Sequence, residues 1–382
     1  MSAIGKPFAG ASQSLSSDRG AYELIGAPLS LYSGKARAYL RWKGVQFSER
    51  LSTRDVYQNE ILPKIGWPVI PVLIDPDGVY VQDTSAIIDH VEAAVGGASV
   101  YPDGPVQKLA ALLLELYGDE WLVLPAMLYR WRDNEDWVYA EFGRTAAPDA
   151  TPEEQMEIGR SNGERFKSTL PILGVTDDTI PGVEAHYEGF LADFSAHLRQ
   201  HPFLFGSRPS IGDFGLIGPL YAHLYRDPAS GELMKRLAPE VAEWVERCHW
   251  PPEPLLGEFL GDDLVPDTLL PILARQMAEQ LPSLLESYSA FVTWADGKSY
   301  GEQMPRALGA HAFSIGGREG ERASLTFSLW MLQRALDHYW SLEGEDRLAA
   351  DAFLDQIGAS VLTTLQWPRR LDRLNHKLCL TD

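Results

Sequence analysis

Apolar and polar positions change rhythm several times between residues 22 and 92. Residues 22–26, Tyr-Glu-Leu-Ile-Gly, are an apolar run broken by Gly26, Ala27 and Pro28, which predicts a short strand. From Ser30 the chain turns to helical spacing, with Ala36, Tyr39, Leu40 and Lys43 recurring and Gly44 as the stop. Residues 45–51 alternate again, a strand pattern. Residues 69–74, Val-Ile-Pro-Val-Leu-Ile, are β-branched and interrupted by Pro71. Asp75-Pro-Asp-Gly is a turn signal, with residues 79–81 as its hairpin partner. Asp83 and Thr84 then stand where a helix through Ala86, Ile87, Ile88 and Val91 needs a cap.

A Gly- and Pro-containing linker over 96–105 leads into a helical pattern. Leu109, Leu112, Leu113, Leu116 and Tyr117 make one stripe. Pro125 is expected to kink or end this helix, and an aromatic-dense stretch follows from Ala126 to about Phe142. Residues 145–152 and 171–181 read as loops with a helix between them. Residues 183–200 read as a helix with Tyr187, Phe190, Leu191, Phe194 and Leu198 on one face. Ser210 and Asp213 have the spacing of a capping box and open an apolar helix over 214–224. A closing helix is expected over 232–249. Pro251-Pro-Glu-Pro254 marks a boundary. Beyond it, residues 266–295, 321–342, 347–358 and 367–378 read as helices.

Composition adds limits. The chain has 382 residues, 45% hydrophobic and 23% charged, which suits two or three domains with real cores. No apolar run is long enough to span a bilayer. Residues 1–20, rich in Ser, Gly and Ala, read as a disordered tail rather than a signal peptide. A net charge of −20 repels phosphates and anionic lipids, so neither nucleic acid nor membrane is an expected partner. Two cysteines, Cys248 and Cys379, are too few for a disulfide framework and suit a cytoplasmic location.

Three motifs in order, Ser30-x-x-Ser33-x-Lys35-x-Arg37, Val69-Ile-Pro-Val-Leu73 and Gln82-Asp-Thr-x-Ala-Ile87, resemble the thioredoxin-like domain of the soluble glutathione transferases. The Ser210–Asp213 box resembles a folding signature of that family's helical second domain. The resemblance implies an α+β/α fold. A βαβ-ββα thioredoxin-like domain would span 21–96, an all-helical domain 105–250, and a helical extension packed on the second domain 251–382. It implies glutathione as co-substrate, no metal, a small-molecule electrophile as partner, and a possible homodimer.

The site residues follow from the same resemblance. Ser30 stands where the family's catalytic Ser, Tyr or Cys stands, and a hydroxyl at a helix N-terminus stabilises a thiolate. Ser30 is equally suited to plain capping. Tyr32 and Ser33 are the alternative hydroxyls. The Ser30-to-Ser33 spacing equals that of a redox Cys-x-x-Cys pair, but without thiols such exchange is excluded. Ile70-Pro71 is expected to be cis, leaving the Ile70 backbone to pair with the cysteinyl backbone of glutathione. Asp83 and Thr84 suit the ammonium and carboxylate of the γ-glutamyl end. Trp67-Pro68 stands where a basic or polar residue often holds the glycyl carboxylate, with Lys64 upstream. Trp121, Met127, Tyr129, Arg130 and Trp131 are candidates for an electrophile pocket, or for the aromatic core of a bundle. Gly316, Gly317, Gly320 and Arg318 make a glycine-rich stretch that reads as an exposed turn more than an anion loop. The basic segment 369–377 is expected to dock on the chain's own acidic surface. No His-Glu-x-x-His, Gly-x-Ser-x-Gly or Gly-x-Gly-x-x-Gly occurs. Two functions remain: a transferase that activates glutathione through a serine hydroxyl, and a non-catalytic protein of that fold used for binding or as a scaffold.

Overall fold

The computed structural model describes residues 20–251 and 257–381. The tail expected over 1–20 lies outside the described residues but for Gly20, and so does most of the Pro251–Pro254 boundary. The first part is a four-stranded sheet. Strand β1 (Tyr22–Gly26) is followed by helix α1 (Leu31–Lys43) and β2 (Phe47–Leu51). Short turns α2 (Arg54–Val56) and α3 (Leu62–Ile65), joined by a π-turn over Tyr57–Ile61, lead to β3 (Val72–Ile74), β4 (Tyr80–Gln82) and α4 (Thr84–Ala94). The spatial order is β2-β1-β3-β4, with β1 parallel to β2 and both other pairs antiparallel. Helix α1 starts because Ser30 caps it. It ends because Gly44 takes φ 71°, a left-handed turn open to glycine, and returns its N–H to the Arg41 carbonyl.

The helical part comprises α5 (Pro105–Glu120), α6 (Val123–Asp133), α7 (Glu135–Ala146), α8 (Pro152–Lys167), α9 (Leu170–Leu173), α10 (Ile180–Leu198), α11 (Ile211–Ala222), α12 (Pro228–Leu237) and α13 (Pro239–His249). The break after α5 falls at Trp121 and Leu122, not at Pro125. Pro125 is the third residue of α6, where its missing N–H has no helical partner to lose. The expected aromatic helix to Phe142 is therefore two helices. The closing helix is also two, because Pro239 opens α13 and keeps Ala238 out of the helical region, at φ −146° and ψ 67°. The loop expected over 171–181 contains the end of α9 and the start of α10.

After a 3₁₀ turn over Asp267–Leu269 come α14 (Leu270–Ala295), β5 (Ala307–Ile315), β6 (Arg318–Leu325), α15 (Phe327–Ser341), α16 (Gly344–Gln356), β7 (Leu371–Leu374) and β8 (Lys377–Leu380). The extension is mainly helical but carries two hairpins. Residues 321–325 finish β6 instead of opening a helix. Residues 367–378 are not a helix: Asn375 and His376 take φ 51° and 63°, the left-handed pair of a two-residue hairpin turn. Gly316 and Gly317 make the same kind of turn, and the Gly316 N–H donates to Glu279 Oε1 at 3.0 Å.

One continuous apolar core joins all three parts, from Leu24 and Ala36 through Leu113 and Leu216 to Leu332 and Leu354. Helix α5 is its axis, buried at every position from Leu109 to Glu120. It crosses α11 at a glycine pair. A Cβ on Gly118 would lie 2.4 Å from the Gly215 backbone. Helix α11 is fixed at its start by the reciprocal Ser210–Asp213 box, and Asp213 also accepts from Leu204 N–H and Trp244 Nε1. No described helix is long and apolar enough to cross a membrane.

Candidate functional site

Strand register brings three segments to one end of the sheet. Ile25 pairs with Val72, and Val72 with Gln82, so Gly26, Pro71 and Asp83 come next along three adjacent strands. Ser30, four residues past Gly26, caps α1, and its Oγ accepts from the Ser33 N–H at 3.2 Å. That bond uses an oxygen lone pair and leaves the Ser30 proton available to donate. The other two hydroxyls are less available. Tyr32 donates to the Asp119 carbonyl at 3.0 Å, and burial, then Glu120 and Asp119, push its pKa well up. Ser33 is fully buried and accepts from Ala27 N–H at 3.2 Å.

The Ile70-Pro71 bond is cis. Neither backbone polar group of Ile70 has a partner among the described residues. Asp83 takes φ 83° and caps α4, accepting from Ser85 N–H at 2.9 Å and Ala86 N–H at 3.2 Å. Thr84, the first residue of α4, is 2% exposed. Trp67 is half-buried, with its indole Nε1 enclosed and unpartnered. Lys64 is exposed and stands 5.5 Å from the Tyr80 ring centroid.

The extension reaches this end of the sheet. Arg373, in the basic segment, donates to the Gln82 carbonyl and Oε1 and lies 4.0 Å from Asp83 Oδ1. Ser85 Oγ contacts Met331 Sδ at 3.7 Å, and Ser328 Oγ donates to Glu120 Oε2 at 2.7 Å. The Arg306 guanidinium stands 5.6 Å over the Trp67 ring. A cleft of about 660 Å³ between β4, α4, α15 and the β7–β8 hairpin is lined by Gln82, Ala86, Trp330, Arg334 and Arg373; its lining does not include Ser30.

Beneath the site lies a buried ion cluster. Lys35 Nζ is 2.8 Å from Glu115 Oε1 and 2.5 Å from Asp119 Oδ2, with Ser85 Oγ at 3.4 Å. Burial alone would lower the Lys35 pKa, but Asp119 and Glu115 outweigh it and hold the ammonium protonated. Two carboxyls share that one ammonium, and burial pushes Asp119 well up. Arg334 on α15 lies 3.8 Å from Glu115, tying the extension to the cluster.

The five residues expected to wall an electrophile pocket are all buried and do not form one wall. Met127 and Trp131 pack with Val138 and Tyr139. Tyr129 faces Tyr187 at 5.3 Å, and Trp121 meets Phe313 edge-on at 6.1 Å under Arg322. Arg130 pairs with Asp227 at 2.6 Å and donates to the Ala222 and Leu29 carbonyls at 2.8 Å each. It therefore positions the residue just before Ser30. Among the described residues no group of three or more His, Cys, Asp or Glu could hold a metal.

Comparison with known proteins follows the same division. The family model described as glutathione S-transferase, N-terminal domain, matches residues 24–99, and that of the C-terminal domain matches residues 177–247. No curated protein matches. Among solved structures, a glutathione S-transferase from Rhodospirillum rubrum F11 is 17% identical, covers 64% of this chain and 96% of its own, and has a TM-score of 0.42. A beta-etherase from Sphingobium sp. strain SYK-6 is 17% identical over 62% of this chain and 97% of its own, also at 0.42. A Tau class glutathione S-transferase from mango, Mangifera indica, is 19% identical over 65% and 94%, at 0.39. The glutathione S-transferase family's two domains are thus matched in order, on a thioredoxin-like sheet followed by a helical bundle, and a further, mainly helical segment follows them.

Proposed function

We propose that the chain binds glutathione across the sheet end formed by Ser30, Ile70-Pro71 and Asp83-Thr84. In this reading it activates the thiol for attack on a small apolar electrophile in the cytoplasm. A free thiol has a pKa of about 8.5 and must be lowered to react near neutral pH. Ser30 does this by donating its unengaged proton to the sulfur at the start of a 13-residue helix, whose dipole favours the thiolate. The Ile70 backbone receives the cysteinyl residue as an added strand, and the α4 start receives the γ-glutamyl end. The observation that carries this reading is the Ser30 hydroxyl. It keeps a free proton, whereas Tyr32 spends its own on the Asp119 carbonyl and Ser33 is fully buried.

The test is calorimetric titration with glutathione, followed by conjugation kinetics of Ser30→Ala. The expected result is retained binding with kcat/KM about 30- to 100-fold lower, the worth of one charge-assisted hydrogen bond of about 2–3 kcal/mol. The thiolate absorbance of the bound ligand should move to higher pH. No heat at millimolar glutathione, or unchanged turnover in the variant, would overturn the reading.

A second reading, a non-catalytic scaffold of this fold, is favoured by one feature. Arg373 near Asp83 and Met331 against Ser85 crowd the γ-glutamyl end with the protein's own side chains. The same titration separates the two readings, because a scaffold with a filled groove gives no glutathione heat.

A further inference from the structure

Two extension residues far apart in sequence become neighbours beside the groove. Gln303 bridges Cys379 in antiparallel fashion, and Met304 N–H donates to the Leu378 carbonyl at 2.8 Å. This pairing sets Arg306 close to Lys377. The Arg306 backbone is held by Thr326 N–H at 3.2 Å, so its exposed side chain starts from a fixed point. The guanidinium stands 5.6 Å over the Trp67 ring, and Lys377 Cε would be 3.9 Å from a Cβ placed on Gly66. Both cations therefore flank the Gly66-Trp67 pair, three to four residues before the cis bond at Ile70-Pro71.

Neither cation has a carboxylate within ion-pairing distance among the described residues, in a chain with 53 acidic residues. Two unpaired cations beside one short segment form the complement of a carboxylate. Lys64, the upstream candidate of the N-terminal domain, lies by Tyr80 instead.

We propose that Arg306 and Lys377 hold the glycyl carboxylate of glutathione, so that the extension completes the groove. This rests on the reading that the groove takes glutathione. With the γ-glutamyl end at Asp83-Thr84 and the cysteinyl residue opposite Ile70, the glycine falls on the other side, about 3.4 Å further along an added strand. That side leads to Trp67.

The experiment compares calorimetric affinities for glutathione and for γ-glutamylcysteine, which lacks the glycine, in wild type, Arg306→Ala, Lys377→Ala and the double variant. The wild type should prefer glutathione, and less so at high salt. The double variant should lose ~10- to 100-fold affinity for glutathione and less than ~2-fold for γ-glutamylcysteine, abolishing the preference. Arg306→Lys should keep most of it. An unchanged preference in the double variant would overturn this proposal alone. Failure of the wild type to bind either ligand would remove the groove reading as well.

Discussion

Glu120 closes α5 at the contact with the extension. It is buried, its Oε2 accepts from Ser328, and burial pushes its pKa up to about 7, with Ser328 and Arg322 pulling the other way. The folded pKa lies above the ordinary 4.5, so the folded state binds more protons than the unfolded one between the two values. Stability from this group is therefore present below pH 4.5 and lost as pH rises to about 7, about 3 kcal/mol in all. Glu120→Gln should remove that slope. Denaturant unfolding at pH 5 and pH 8 should show the wild type losing about 2.5 kcal/mol relative to the variant; parallel profiles would show that the carboxyl titrates normally. At this scale the sequence was informative where a residue acts on its own neighbours. Ser30 and Asp83 are caps, and caps have local signatures. Arg306 and Lys377 had none, because their meaning comes from Trp67 and Gly66, more than two hundred residues away.

Elements were legible in proportion to how cleanly their period showed. The sheet of the first domain and helices α10, α11 and α14 followed the apolar spacing. The β7–β8 hairpin did not, because arginines and a lysine hid the alternation of Leu371, Leu378 and Leu380, and the turn residue Asn375 was the one local cue. How helices meet was also invisible. Nothing in the pattern announced that α5 and α11 touch through Gly118 and Gly215. Gly118→Ala would drive its Cβ into backbone that cannot step aside, and should cost about 3 kcal/mol or more. Gly96→Ala, in open space, should stay within about 0.5 kcal/mol. Paired thermal melts check both, and similar melting temperatures for the two variants would contradict the close crossing.

For the whole molecule, the shared core matters more than the count of domains. The extension covers α5, where Gln276 donates to the Leu113 carbonyl at 2.7 Å and Gln280 to that of Leu116 at 3.3 Å. A chain cut after residue 250 would keep both matched family segments yet expose that helix. It should aggregate or melt without a cooperative transition, by size-exclusion chromatography and calorimetry. A monomer melting near the full chain would show that the first 250 residues stand alone.

The Lys35 cluster has a consequence for how the parts hold together. Lys35 belongs to the first domain, Glu115 and Asp119 to the second, and Arg334 to the extension, and removing Glu115 and Asp119 together would strand the Lys35 ammonium away from water. The three parts therefore meet at one seam of shared charge, whatever happens to the loops around it.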